Sequence, residues 1–206
     1  MNKKTIRSYA MFREQFNLKY EDIEEVDGKK YFRGQLVEDE EKKYAEGDDF
    51  LNIGYGFKLS LARVLSNLYP MEFVFRGKKV KSIEGVLQGI KHKDKKTQNL
   101  VLNYFGLDAY HTRASNTLDF WGNEGVLYWQ GKPMKRDSED YQEFLDELYL
   151  SAVKNPLYRK MLIQTGDKYL LHHIGNTNQK ETVLTRYEYE QRLNSIREWV
   201  RLNAKY

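Results

Sequence analysis

Residues 82–91, SIEGVLQGIK, carry three polar side chains at a helical spacing. At about 100° of rotation per residue, a helix places Glu84, Gln88 and Lys91 on one face. This row offers a carboxylate that can take up or deliver a proton, and an amine that becomes a nucleophile when its pKa falls. The same spacing is also typical of a solvated helix face, where exposed ion pairs contribute little. The residue types alone leave both interpretations open.

The other positions of this segment determine how such a helix is held. A separate apolar stripe predicts a buried anchor and consists of Ile83, Val86, Leu87 and Ile90. Gly85 and Gly89 occupy the third side, and each interior glycine costs about 0.5 to 1 kcal/mol relative to alanine. We therefore expect a ligand or another stretch of backbone to approach the helix closely on the glycine side.

A longer block around this helix resembles a known family. Residues 65–91, LSNLYPMEFVFRGKKVKSIEGVLQGIK, are similar to the opening of the NADAR (YbiA-like) family, in which a Ser-Asn pair precedes a hairpin and a helix with Glu, Gln and Lys at this spacing. The pair here is Ser66 and Asn67. Two further segments, WQGKPMKRDSEDYQEFL at 129–145 and KNPLYRKMLIQTGDKYLLHHIG at 154–175, extend the resemblance over about residues 50–200.

The resemblance implies an N-glycosidase, which hydrolyses the bond between a ribose carbon and a base nitrogen. Either Glu84 activates a water or protonates the leaving side, or a neutral Lys91 attacks the sugar carbon and holds the opened ribose as an imine. The family has two substrate classes. ADP-ribosylated guanine, in nucleic acid or nucleoside, is expected ahead of the ribosylamino-pyrimidine phosphates of riboflavin biosynthesis, so the expected partner is that modified base or a phosphorylated ribosyl small molecule.

The resemblance also implies a set of ligand contacts beside the catalytic candidates Glu84 and Lys91. The substrate-binding candidates are Ser66, Asn67, Gln88, Trp129, Lys132, Arg136, Glu181 and Thr182. Lys132 and Arg136 are candidates for holding a phosphate. Glu181 and Thr182 lie in the loop where most members carry an acidic residue before a Trp-Gly turn. Two alternatives remain open: a non-catalytic ADP-ribose or nucleotide reader, and a plain nucleic-acid-binding protein.

Basic and aromatic side chains follow the proposed helix. A basic shoulder, defined by Lys91, Lys93, Lys95 and Lys96, favours a phosphate and equally fits a solvated helix end. The loop-rich stretch 107–137 contains three large aromatic rings, Trp121, Tyr128 and Trp129. Such rings can stack on a base or a flavin-like ring, although their clustering is more typical of core packing.

The composition of the 206 residues indicates the cellular compartment and the kinds of partner to expect. Without cysteine there is no disulfide, thiolate metal site or cysteine nucleophile, which fits a reducing compartment. We expect a cytoplasmic protein without membrane contact, because the sequence shows neither a signal peptide nor an apolar run of membrane-spanning length. The net charge of +4 favours phosphate-bearing partners only slightly. No cofactor and no metal are expected, since His172 and His173 alternate in a predicted strand.

The predicted elements indicate one predominantly helical α+β domain with a hairpin and a few short strands. Residues 1–49 are expected to form an extension packed on or decorating a core at 50–206, with a helix near 9–24, a turn at Asp27-Gly28 and a strand near 30–37. In the core, the patterns predict a hairpin over 72–82 and a helix over 96–105 closed by Gly106. They also predict a helix over 139–154 capped by Ser138, a helix that Asn155-Pro156 begins and Thr165-Gly166 ends, and a last helix that opens with a Thr185–Glu188 capping box.

Overall fold

The structure, a computed structural model, describes residues 3–15, 23–37, 46–112 and 125–203. Helices and short strands alternate through these ranges, which confirms the expected mixed α+β class. The helices are α1 (Lys3–Gln15), α2 (Ser60–Leu65), α3 (Ile83–Gly89), α4 (Lys95–Leu102), α5 (Gly106–Thr112), α6 (Glu139–Ala152), α7 (Pro156–Gln164) and α8 (Arg186–Asn203). The strands are β1 (Glu24–Val26), β2 (Lys29–Phe32), β3 (Gln35–Leu36), β4 (Phe50–Asn52), β5 (Phe73–Phe75), β6 (Lys78–Val80), β7 (Val126–Trp129), β8 (Lys132–Lys135) and β9 (Tyr169–Leu171).

The described strands form small separate sheets. β1, β2 and β3 make an antiparallel sheet, β5–β6 and β7–β8 are antiparallel hairpins, and β4 runs parallel to β9. The β5–β6 hairpin confirms the prediction over 72–82, and its turn residues Arg76 and Gly77 both have positive φ. Sheets this small bury little surface by themselves, so helices must supply much of the core.

Helix α6 lies at the centre of the main hydrophobic core. Tyr141, Phe144 and Leu148 are fully buried at the helical spacing that the sequence predicts. Ser138 caps the helix, because its hydroxyl accepts a hydrogen bond from the backbone N–H of Tyr141. Helices α1, α3 and α8 and the β5–β6 hairpin contact α6.

Helix α3 is buried on its polar side, its apolar side and its glycine side. Ser82 caps it by accepting a hydrogen bond from the N–H of Gly85 at 2.9 Å. A side-chain carbon at Gly85 would lie 3.2 Å from the carbonyl oxygen of Val101 and 3.3 Å from that of Tyr104. The close approach predicted on the glycine side is therefore made by the end of α4 and the turn after it, not by a ligand.

Two boundaries in the N-terminal part differ from the prediction. Helix α1 spans Lys3–Gln15 instead of 9–24, and Glu24–Val26 forms a strand because it pairs with β2. The predicted strand over 30–37 is interrupted at Arg33–Gly34, where both residues have positive φ and the chain reverses into β3. Part of the predicted first helix, 16–22, lies outside the described residues.

Helix α1 is attached to the core by buried charges. Asp146 of α6 pairs with Arg13 of α1 and, at 3.0 Å, with Arg192 of α8. The hydroxyl of Tyr9 donates to the backbone carbonyl of Arg192 at 3.1 Å. Asp146 and Arg192 are almost completely inaccessible to solvent, so removing one partner would leave a buried charge uncompensated.

Gly106 begins α5 and does not close the preceding helix as predicted. α4 ends at Leu102, and Gly106 lies against the turn that follows α2. A side-chain carbon at Gly106 would lie 2.0 Å from the carbonyl oxygen of Leu68. The glycine is therefore required by close contact between two backbone segments.

This contact predicts a strong effect of Gly106→Ala. We expect the free energy of unfolding to fall by about 1–3 kcal/mol or more, because the added methyl group must displace backbone. Urea denaturation measures the change. Gly56→Ala is the matched control, since no atom lies within 4 Å of a side-chain carbon at Gly56. Equal stability of the two variants would contradict the packing at Gly106.

Candidate functional site

A cleft of about 730 Å³ runs along the polar face of α3. Its walls are α3, the turn at 66–68 after α2, and the segment 172–189 that leads from β9 into α8. Gly54, Tyr55 and Tyr110 complete the lining. This volume lies within the usual range for sites that bind small molecules.

The predicted row on α3 forms one wall of this cleft. The amide of Gln88 bridges the other two groups: its nitrogen donates to Glu84 Oε1 at 2.6 Å, and its oxygen accepts from Lys91 Nζ at 2.7 Å. Glu84 is only 8% exposed and Lys91 is half-buried. The interpretation of this row as an ordinary solvated helix face is therefore wrong.

The Ser-Asn pair lies where the cleft meets the start of α3. The backbone carbonyl of Asn67 accepts from the N–H of Glu84 at 3.0 Å, and the side-chain oxygen accepts from the hydroxyl of Tyr149 at 2.9 Å. The second bond orients the amide and presents its nitrogen as a donor. Ser66 also lines the cleft, and its hydroxyl accepts from the N–H of Leu68 at 3.3 Å.

Two buried phenols support this wall. Burial raises the pKa of Tyr149 and of Tyr189 well above the ordinary value, and the negative charge of Glu84 raises both further. Both hydroxyls therefore stay protonated and act as donors. Tyr189 donates to the carbonyl of Leu65 at 2.7 Å, which fixes the end of α2 next to the cleft.

Glu181 and Thr182 line the cleft in the segment that leads from β9 into α8. The carboxylate of Glu181 accepts from the side-chain amides of Asn176 at 3.0 Å and Asn178 at 2.6 Å. These two hydrogen bonds lower the pKa of Glu181. Thr182 donates to the carbonyl of Leu184 at 2.9 Å. The cleft therefore carries an ionised carboxylate at its exposed rim as well as Glu84.

Arg136, a candidate for holding phosphate, is instead occupied by protein groups. Its two terminal nitrogens donate to the two carboxylate oxygens of Glu188 at 2.9 and 2.5 Å, and its Nε donates to the carbonyl of Thr182 at 2.9 Å. The side chain does not line the cleft. Because its donor fork is filled by Glu188, Arg136 anchors the cleft loop to α8.

Two more candidates lie away from the cleft. Trp129 packs in the core, with its ring centre 5.0 Å from that of Phe75 and 5.5 Å from that of Phe144. Lys132 is exposed on β8 and does not line the cleft. The core-packing alternative for these aromatic rings holds for Trp129, and Trp121 lies outside the described residues.

The basic shoulder is divided by the structure. Lys91 lines the cleft, whereas Lys93, Lys95 and Lys96 are exposed and do not. Gln98, on the same helix as Lys95 and Lys96, is fully buried, and its amide nitrogen donates to the carbonyls of Gly89 at 3.0 Å and Tyr128 at 2.8 Å. Gln98 therefore joins the end of α3 to the β7–β8 hairpin.

His172 lines the cleft, although the sequence pattern indicated no role for it beyond the metal ligation that was not expected. Its Nδ1 lies 2.7 Å from the carbonyl oxygen of Ile53, and its backbone N–H donates to Glu190 at 2.6 Å. Burial lowers the pKa of His172 to about 4, so the ring is neutral near pH ~7. The strand predicted to contain both histidines ends at Leu171, so His172 and His173 follow β9 instead of alternating within it, and His173 stacks on Phe57.

Arg186 is a second cleft residue that the sequence analysis did not select. Its Nε donates to Glu190 Oε1 at 2.8 Å, so one buried carboxylate holds both Arg186 and the backbone of His172. The Nη2 atom of Arg186 is buried and has no hydrogen-bond partner. The i, i+4 spacing of Arg186 and Glu190 within α8 is a local pattern, but their link to His172 exists only because β9 and α8 meet in the folded chain.

The described residues were compared with the requirements of a metal site and of a membrane-spanning helix. No group of three or more His, Cys, Asp or Glu side chains in these ranges is arranged to hold a metal ion. Within the same part of the chain, no helix combines the length and apolar content needed to cross a membrane.

Comparison with known proteins assigns the family. A family model described as bacteriophage protein GP30.3 matches residues 60–198, which contain α3 and most of the cleft. The chain belongs to the GP30.3 family. No curated protein and no solved structure matches it.

The assignment to the NADAR family is therefore wrong. The sequence itself departs from the NADAR pattern at three places: Gly85 stands where His is common, Val86 and Leu87 replace an aromatic pair, and the loop 175–185 lacks the Trp-Gly turn. A Glu, Gln and Lys row is short, and any helix that buries a polar face can carry it. The site in this GP30.3 protein consequently rests on its own geometry.

The Arg136–Glu188 anchor predicts a pH dependence of stability. Burial alone would raise the pKa of Glu188, but the hydrogen bonds and charge of Arg136 lower it from 4.5 to about 2. The folded state is therefore stabilised by up to roughly 3 kcal/mol above about pH 4.5, and loses this contribution as the pH falls toward about 2. Urea denaturation between about pH 6 and pH 3 measures it.

Glu188→Gln tests this assignment. The variant should be less stable than the wild type at about pH 6, and its stability should fall less between about pH 6 and pH 3. Glu72→Gln, at an exposed position, is the control and should keep the wild-type profile. A Glu188→Gln profile parallel to that of the wild type would show that this carboxylate is not the group responsible.

Proposed function

We propose that this protein is a hydrolase that cleaves the N-glycosidic bond between a ribose and a base. The observation that carries the proposal is the convergence of Glu84 and Lys91 on one sheltered wall of the cleft, with Gln88 between them. Cleavage of this bond requires a group that handles the proton of the attacking water and a group that assists the departing nitrogen. The row supplies both.

The water route balances with these two groups. The water oxygen bonds to the anomeric carbon while the Glu84 carboxylate accepts one water proton. The carbon–nitrogen bond breaks, its electron pair stays on the base nitrogen, and the Lys91 ammonium gives that nitrogen a proton. Exchange with solvent then returns Glu84 and Lys91 to their starting states. The bond from Gln88 holds the carboxylate in a fixed orientation throughout.

The lining supports a ligand that contains both ribose and phosphate. Lys91, Lys180 and Arg186 line the cleft and bring positive charge to it. The volume exceeds what a single ribose requires. We therefore propose ADP-ribosylated guanine first and a ribosylamino-pyrimidine phosphate second. Trp129, Lys132 and Arg136 contribute no support to this choice.

A non-catalytic nucleotide reader is the second candidate function. The observation that favours it is that Glu84 and Lys91 are both hydrogen-bonded to Gln88, so the row is internally satisfied before any ligand arrives. A polar ligand would bind to this wall by replacing these hydrogen bonds with its own. The reader and the hydrolase therefore differ in turnover and not in the location of the site.

Turnover tests the proposal directly. Wild-type protein should remove the ADP-ribose adduct from a guanine oligonucleotide, or release the pyrimidine from a ribosylamino-pyrimidine phosphate, as followed by mass spectrometry. Glu84→Gln and Lys91→Ala should each lower the rate by about 10²–10⁴-fold, the usual contribution of a general acid or base. The matched controls Glu72→Gln and Lys93→Ala alter exposed residues outside the cleft and should retain activity.

Calorimetry with the same two compounds separates the two functions. Binding without product would assign the reader function and contradict the hydrolase. The absence of both binding and product for both compounds would contradict the ribosyl ligand itself. Loss of activity in Lys93→Ala equal to that in Lys91→Ala would show that the cleft row is not the centre of the reaction.

Borohydride trapping decides between the two chemical routes. We expect no covalent ribose adduct on the protein during turnover, because Lys91 Nζ donates to Gln88 in a polar row that suits the charged amine, and an ammonium group is not a nucleophile. Intact-protein mass spectrometry after borohydride treatment measures this. An adduct that is present in the wild type and missing in Lys91→Arg would instead establish the imine route.

A further inference from the structure

We propose that Nε2 of His172 is the acceptor in the cleft that recognises a ribose hydroxyl of the ligand. The identity of the ligand rests on the proposed function, whereas the acceptor role of His172 rests on its own contacts. Neither the family match nor the sequence pattern assigns a role to this residue.

The contact of His172 with Ile53 determines which ring nitrogen carries the proton. Nδ1 lies 2.7 Å from the Ile53 carbonyl oxygen, and a carbonyl oxygen only accepts. The proton of the neutral ring must therefore be on Nδ1, which leaves Nε2 as an acceptor. Since Nδ1 is directed at the backbone behind the ring and His172 lines the cleft, Nε2 is the ring nitrogen available to a ligand.

The ring is also held in place on several sides. Tyr189 packs edge-on, with the ring centres 5.3 Å apart. Both backbone polar groups of His172 are hydrogen-bonded. Its N–H donates to the Glu190 carboxylate at 2.6 Å, and its carbonyl accepts from the N–H of Gly175 at 2.9 Å. A side-chain carbon at Gly175 would lie 3.0 Å from His172 Cδ2 and 2.8 Å from Arg186 Cβ. An acceptor immobilised in this way loses little entropy on binding.

The charged groups around His172 favour the neutral ring. Arg186 and His173 disfavour a positive charge on it, and the nearby Glu190 carboxylate is paired with Arg186. Burial lowers the pKa of the ring and outweighs the opposite effect of the hydrogen bond to the Ile53 carbonyl. Near pH ~7 the cleft therefore contains a neutral acceptor in addition to the two carboxylates, Glu84 and Glu181.

A neutral acceptor discriminates between the hydroxyl groups and the phosphate groups of a ligand. Hydroxyl and N–H groups can donate to Nε2, whereas phosphate oxygens without a proton cannot. The other donors of the cleft, among them Asn67 and Lys180, suit those oxygens instead. His172 thus selects the orientation in which a sugar hydroxyl meets the wall formed by β9 and α8.

A ligand-analogue cycle tests this role. Calorimetry would compare ADP-ribose with its 2- and 3-deoxyribose analogues on the terminal ribose, for wild type, His172→Phe and the exposed control His111→Phe. We expect one deoxy analogue to bind about tenfold more weakly to the wild type and to the control. His172→Phe should bind that analogue and ADP-ribose equally. A variant that loses affinity for all three compounds by the same factor would indicate a structural role and overturn the proposal.

Nitrogen-15 NMR of the wild type does not depend on how the variant folds. The ligand-free spectrum should show the proton of His172 on Nδ1, and the Nε2 resonance should shift with ADP-ribose but not with the deoxy analogue that lost affinity. A proton on Nε2, or an Nε2 signal unmoved by saturating ADP-ribose, ribose 5-phosphate and guanosine, would overturn the proposal. If the affinities and the Nε2 shift depend on the ribose hydroxyl as expected but no hydrolysis occurs, only the proposed reaction is refuted. If hydrolysis occurs without that dependence, only the role of His172 is refuted.

Discussion

Burial of the Glu84 carboxylate is the constraint on which the rest of the site depends. A carboxylate removed from water is destabilised unless hydrogen bonds replace those of the solvent. The amide of Gln88 supplies one such bond and is itself oriented by Lys91, while the turn at Asn67 accepts from the backbone of Glu84. The polar face of α3 is therefore a row of mutually dependent hydrogen bonds along one wall of the cleft.

Helix α8 controls the opposite wall through two carboxylates. Glu188 holds the guanidinium of Arg136, which in turn binds the carbonyl of Thr182, and Glu190 holds both Arg186 and the backbone of His172. The capping box adds to this arrangement, because Glu188 also accepts from the N–H of Thr185. The start of one helix thus positions the loop 172–185 against α3, and a disturbance of either carboxylate would shift the cleft wall.

Several candidates show why residue type is an incomplete guide to function. Arg136 has the chemistry of a phosphate ligand, yet its donors are filled by Glu188, which lies 52 positions later in the chain. Trp129 has the chemistry of a stacking platform, yet it packs against Phe75 and Phe144. The same limit applies to the NADAR resemblance, since a short polar row on a helix does not establish a family, and the match over residues 60–198 is to GP30.3.

Local patterns in the sequence determined the hairpin at 72–82, the Ser138 cap, the Thr185–Glu188 box and the common face of Glu84, Gln88 and Lys91, because these features involve neighbours within two helical turns or one hairpin. The tertiary structure alone decided that this face lines a cleft, that Arg136 is an anchor, and that His172 and Arg186 belong to the site. Gly106 illustrates the same division, since its backbone contact with Leu68 joins segments that the sequence keeps apart. Hydrogen-bond partners and burial across such distances follow from how the elements pack, and periodicity along the chain carries no information about that packing.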